Sequence, residues 1–182
     1  MVAHTQTSKP PALKPKVAAL ATPTDLKPQN TAAVAIALNG LVADAFALYL
    51  KTKNFHWHVS GPHFRDYHLM LDEQADQIFA SIDPLAERVR KLGERTILGI
   101  SHIADLTTIK DNVERFVPPT AMLKILVADN KAMAARMRKT HTICDDNDDP
   151  ASASLLEIYI DETERRTWFL FEASRAVDAE GH

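Results

Sequence analysis

At 182 residues, 46% of them hydrophobic, the chain suits one domain with a real core. A single cysteine, Cys144, excludes a disulfide framework and fits a reducing compartment, while a net charge of −3 excludes a polycation built throughout for nucleic acid. No run approaches the roughly eighteen apolar residues of a membrane helix and no signal-peptide stretch is seen, so a cytoplasmic protein is expected.

Charge is unevenly spread. Residues 1–30 carry Lys9, Lys14, Lys16 and Lys27 against Asp25 alone, among Pro10, Pro11, Pro15, Pro23 and Pro28. Such a segment has too little apolar surface for a core and reads as a flexible basic arm on an acidic body. A first helix is expected from Thr31, as N-cap, to His58, with Val34, Leu38, Leu41, Val42, Ala45, Phe46 and Tyr49 at spacings of three and four. Ser60-Gly61-Pro62 makes a turn, with Pro62 suited to open the second helix. That helix carries Leu71, Ala75, Ile78, Ile82, Leu85 and Val89 and stops at Gly93. The stripe keeps phase across Pro84, which favours one bent helix over a fresh start capped by Asp83.

Residues 93–117 read as irregular, with a short helix around Ile103–Asp111. Pro118-Pro119-Thr120 opens a third long helix with Met122, Leu126, Met133 and Met137. The polar break Asp145-Asp146-Asn147-Asp148-Asp149-Pro150 precedes a fourth helix, Ala151 to Val177. Four long helices with a long middle connection predict an all-α four-helix bundle over 31–177, with a short extra helix between the second and third and a tail at 178–182.

The second helix carries the chemistry. His68 and Asp72 are four apart, as are Asp83 and Glu87, so each pair shares a helix face. One imidazole and three carboxylates on a stripe of about 100° suit Fe(II), Mn(II) or Zn(II). His56, just before the turn, is brought over the same region by a tight helical hairpin. Asp72 and Asp83, however, lie roughly 16 Å apart along a helix at about 1.5 Å per residue, whereas a metal–oxygen bond is about 2 Å. Two copies packed antiparallel about a two-fold axis remove the conflict by setting one pair against the other. The bland alternative is a solvated face with ion pairs. No Glu has a His three positions later, so a di-iron site enclosed within one bundle is disfavoured.

Lys53-Asn54-Phe55-His56-Trp57-His58, then His63-Phe64, His68-Leu69-Met70-Leu71-Asp72, and Ile82-Asp83 through Ala86-Glu87-Arg88 to Leu92-Gly93 resemble the signature of the Dps family, DNA-binding proteins from starved cells. The resemblance runs over about 31–177 and implies a ferritin-like fold. It implies iron ligation by His56, His68 and Asp72 of one subunit with Asp83 and Glu87 of its two-fold mate. It also implies a hollow twelve-subunit shell that oxidises Fe(II), preferably with hydrogen peroxide, stores ferric mineral and protects DNA. Zn or Mn are possible substitutes at such ligands. By the same resemblance Trp57 lies near the iron, although plain packing of a large ring is the favoured reading. Asp145, Asp146, Asp148 and Asp149 are candidates for acidic pores that admit Fe(II), or else simply favour a helix N-terminus. The arm lysines imply non-specific DNA binding and nucleoid association, or else a solubilising tail.

Overall fold

A computed structural model describes residues 17–175. A short 3-10 turn, Ala18–Leu20, is followed by α1 (Pro28–His58), α2 (Phe64–Lys91), α3 (Ile100–Leu106), α4 (Pro119–Asp146) and α5 (Pro150–Ala173). No strand occurs among the described residues. Helices α1 and α2 form one hairpin and α4 and α5 the other, with α1 also against α4 and α3 lying on α1. Val34, Leu38, Leu41, Leu48, Phe55, Leu71, Leu85, Leu123, Leu126, Leu156 and Leu170 fill the space between them. This is the expected four-helix bundle with its extra helix in the long connection.

The boundaries differ from the sequence reading for local reasons. Helix α1 begins at Pro28, not Thr31, because Pro28 occupies a first-turn position where its missing N–H costs nothing. Thr31 Oγ1 instead donates to the Pro28 carbonyl at 3.0 Å. Residues 17–27 are held by the body: Thr22 Oγ1 donates to the Arg90 carbonyl at 2.9 Å, and Arg90 Nη2 donates to the Leu20 carbonyl at 2.9 Å. Pro62 stays in the turn, and α2 starts at Phe64. Helix α3 spans Ile100–Leu106, because Thr107 and Thr108 leave the helix to bind Asp44. Helix α5 ends at Ala173 rather than Val177, since Ser174 turns back with its hydroxyl on the Phe171 carbonyl at 2.8 Å. Lys9, Lys14, Lys16 and the 178–182 tail lie outside the described residues.

Helix α2 runs unbroken through Pro84, as the stripe predicts. Proline lacks the N–H that would serve the Ala80 carbonyl, and residue 80 is exposed, so water can take that bond. Gly93, at φ 76°, closes the helix: its N–H reaches the Arg90 carbonyl at 3.0 Å and Glu94 N–H the Val89 carbonyl at 3.2 Å. That crossed pair needs a left-handed residue, which glycine adopts freely.

By length and composition α1 is apolar enough to cross a bilayer, but 56% of its most apolar window is buried, which marks it as the core helix of the bundle.

Asp149 caps α5. Its carboxylate accepts from Ser152 N at 3.1 Å, Ser152 Oγ at 2.5 Å and Arg88 Nη2 at 2.6 Å, with 1% of the residue exposed. Asp149→Ala removes the cap and strands a largely covered guanidinium, so an unfolding loss of about 2–4 kcal/mol is expected by thermal or urea melting. Beside it, burial pushes the Cys144 thiol up to about 12. Cys144 therefore resists alkylation in the folded chain near neutral pH, read as unchanged mass after treatment with iodoacetamide.

Candidate metal centre

The five-residue turn between α1 and α2 folds the end of one helix against the start of the next. His56 and His68 meet there with ring centroids 3.7 Å apart, stacked at 22°. Each ring bonds to the other residue's backbone. His56 Nδ1 lies 2.8 Å from the His68 carbonyl oxygen, and His68 Nδ1 lies 2.9 Å from that of His56. A carbonyl only accepts, so both Nδ1 atoms are assigned the proton. The lone pair of each neutral imidazole then sits on Nε2, the state in which histidine binds a metal. Phe64 stacks on the far side of His68 at 5.0 Å, fixing that ring further.

Asp72 completes this half. Its Oδ1 lies 3.8 Å from His56 Nε2. The same oxygen carries the ammonium of Lys53 in a short ion pair. That hydrogen bond, with Coulomb attraction behind it, holds the Asp72 carboxyl below its ordinary 3.8 and the Lys53 ammonium above its ordinary 10.5. A depressed carboxylate contributes above its unfolded value and is lost as pH falls through the folded one. A raised ammonium contributes below its unfolded value and is lost as pH rises through the folded one. The pair is therefore intact across the neutral range.

Sequence reasoning missed Lys53. The available signal was its place three residues before His56, on the same face of α1.

Asp83 and Glu87 sit further along α2, both exposed, with Glu87 paired to Lys91 at 3.4 Å on the surface. Because α2 is one continuous helix, the two pairs stay about 16 Å apart. Among the described residues, no three His, Cys, Asp or Glu side chains of the single chain are placed to hold a metal ion. One chain thus presents two separate half-sets of the donor types that hard and borderline cations prefer. The half-sets are symmetric about the midpoint between Gln77 and Ile78: His68 mirrors Glu87, and Asp72 mirrors Asp83. Phe79, next to that midpoint on the same stripe, is 54% exposed and rests one edge on Tyr49 at 5.1 Å.

The remaining candidates separate. Trp57 is 60% exposed on the outer side of α1. His58 turns away, its Nδ1 on the Asn54 carbonyl at 2.7 Å, and lines a cavity of about 240 Å³ with Arg115, Phe116 and Met122. The four acids before α5 do not act as one set. Asp149 is spent inside the fold, which removes it from any pore lining. Asp145 is exposed and 3.1 Å from His141 Nδ1, Asp146 is exposed, and Asp148 accepts from Asn30 Nδ2 at 3.3 Å. Lys27 is the exposed N-cap residue of α1.

Comparison with known proteins adds an independent line. Residues 36–175 match the model of the ferritin-like domain. An uncharacterized low temperature-induced protein of Nostoc sp. is 33% identical over 134 residues, 73% of this chain and 75% of that protein. A DNA protection during starvation protein of Brevibacillus brevis is 31% identical over 137 residues, 75% of this chain and 91% of that one. Among solved structures, the Dps protein of Vibrio cholerae O1 is described as a member of a broad superfamily of ferritin-like diiron-carboxylate proteins. It aligns with a TM-score of 0.79 at 25% identity, covering 85% of this chain and 98% of that one.

Proposed function

We propose, since this chain belongs to the ferritin-like family and within it to the Dps proteins, that it oxidises Fe(II) at centres shared between two copies and stores the ferric product in a hollow shell. Iron storage and DNA protection are the general business of that family. The finer reading rests on one observation: two half-sets of ligands on α2, too far apart to meet within a chain, are mirror images about one point of the helix. An antiparallel pairing of two α2 helices through that point brings His56, His68 and Asp72 of each copy against Asp83 and Glu87 of the other. The half-exposed Phe79 beside the dyad supplies apolar area for the contact.

The side chains have distinct tasks toward the iron substrate. Imidazole Nε2 lone pairs receive Fe(II), and the anionic carboxylates favour Fe(III) once it forms. Each Fe(II) gives one electron. Hydrogen peroxide takes two, with two protons from solvent, as its O–O bond breaks and two waters form, so both ingredients of radical damage are consumed together. The same nitrogen and oxygen donors accept Zn(II) or Mn(II) as substitutes. Exposed Asp145, Asp146 and Asp148 at the α4–α5 turn offer an acidic approach for cations.

A shell of twelve 20.2 kDa chains has a mass of roughly 240 kDa. Light scattering is expected to find it, together with peroxide-dependent loss of Fe(II). A monomer that oxidises iron at full rate sinks the shared-centre reading. Binding of DNA is assigned to the arm lysines. Because residues 17–27 are held by the body and Pro28 opens α1, deleting residues 1–16 is the clean test. Gel retardation of plasmid should disappear while ferroxidation persists, and retardation that survives the deletion removes the arm from the account.

A further inference from the structure

We propose that Asp76 receives the Lys53 ammonium when a divalent cation takes Asp72, making Lys53 a resident counter-ion that moves by one helical turn. The inference rests on the shared-centre reading, with Asp72 as a ligand.

The ammonium of Lys53 lies on Asp72 Oδ1, the oxygen 3.8 Å from His56 Nε2. A metal ion bridging His56 and Asp72 and an ammonium on that same oxygen repel each other at contact range. One of them must leave. The ammonium is not free in water, since only 16% of the Lys53 side chain is exposed.

Asp76 is the available acceptor. It lies four residues beyond Asp72, on the same face, where side chains are about 5–6 Å apart at Cβ. It is exposed and has no hydrogen-bond or ion-pair partner among the described residues, yet its charge already acts on Lys53. The four-carbon stem of lysine spans such a shift by rotamer change alone. Glu73, the other acid nearby, already accepts from Gln77 Nε2 at 3.2 Å.

Two consequences follow. Cation capture at Asp72 displaces an ammonium instead of a proton, and the lysine keeps its charge throughout. A monovalent ion gains too little from Asp72 to dislodge a hydrogen-bonded ammonium, so the device sets a threshold that divalent ions pass.

The test is a double-mutant cycle on the assembled full chain, reading the dissociation constant of redox-inert Co(II) by titration calorimetry. Asp76→Asn is expected to weaken binding about three- to fivefold, the upper range of one exposed ion pair. Lys53→Met is expected to tighten it by about tenfold, since no internal cation competes. In the Lys53→Met background, Asp76→Asn should change binding by less than about twofold, because the relocated ammonium no longer exists. An equal Asp76→Asn penalty in both backgrounds overturns the proposal, since Asp76 then acts on the metal itself. No penalty in either background overturns it as well. Lys53→Gln replaces Lys53→Met if the latter does not assemble. An Asp72→Ala variant that binds Co(II) like the parent sinks the centre itself, a failure distinguishable from that of the relay.

Discussion

Mixing two separately inactive variants, His68→Ala/Asp72→Ala and Asp83→Ala/Glu87→Ala, restores iron oxidation to about a quarter of the parent rate. Alone, each variant lacks two of the proposed direct ligands in every centre. Each is expected to lose at least the roughly 100-fold that removing a mere supporting partner of a ligand costs. After dissociation and random reassembly, about half the dimers contain one chain of each kind. In such a dimer one centre collects both defects. The other joins the intact His68/Asp72 half of one chain to the intact Asp83/Glu87 half of its mate. About one centre in four is therefore whole. A centre confined to one chain predicts no recovery at all, so a flat result from well-mixed assemblies removes the shared site. The measurement is the initial rate of Fe(II) loss with peroxide, and a mixture of parent with either variant controls for exchange.

The second large effect concerns stability. Asp44→Ala is expected to cost about 2–4 kcal/mol, since a buried, hydrogen-bonded carboxylate is lost while its guanidinium partner is partly open to water. Asp44 is 1% exposed. Its carboxylate pairs with Arg136 of α4 and accepts from Thr107 Oγ1 at 2.9 Å, Thr108 N at 2.6 Å and Thr108 Oγ1 at 2.9 Å. One side chain thus ties α1 to α4 and to the strand of chain leaving α3. Its loss leaves the Thr107 and Thr108 donors without their acceptor, while the partly exposed Arg136 keeps only Thr108 Oγ1 at 3.2 Å and water.

The other side of the same cluster gives a milder check. A Cβ at Gly40 would overlap the Arg136 guanidinium, the mobile end of a partly exposed side chain, so Gly40→Ala should cost at most about 1 kcal/mol once the helix gain of alanine is counted. Urea midpoints at one fixed chain concentration read both, because assembly also contributes to apparent stability. An Asp44→Ala shift below about 1 kcal/mol would mean that water or a rearranged Arg136 replaces the cluster.

Most of the fold was legible because helix periodicity is a local property. Leu38, Leu41, Val42 and Leu71, Ile78, Leu85 repeat at helical spacing, and each is buried where its stripe predicts. Gly93 was legible for a similar reason, since the left-handed closing turn of α2 depends on the residue at that one position. Helix ends were less legible. The early release of α3 at Thr107 turns on a side chain far away in sequence. Asp44 is more than sixty residues from the threonines that it draws out of the helix.

The chemistry divides along the same line. By itself the sequence determined the donor types, their four-residue spacing and the separation of the two pairs, because a helix converts residue number directly into angle and rise. Only the tertiary structure decided that His56 and His68 each donate an Nδ1–H to the other's backbone carbonyl, that Lys53 rests on Asp72, and that Asp149 serves as an internal cap instead of a surface acid. Hydrogen bonds and ion pairs act over a few ångströms, and which groups come that close is fixed by how helices pack, which no spacing along one helix contains.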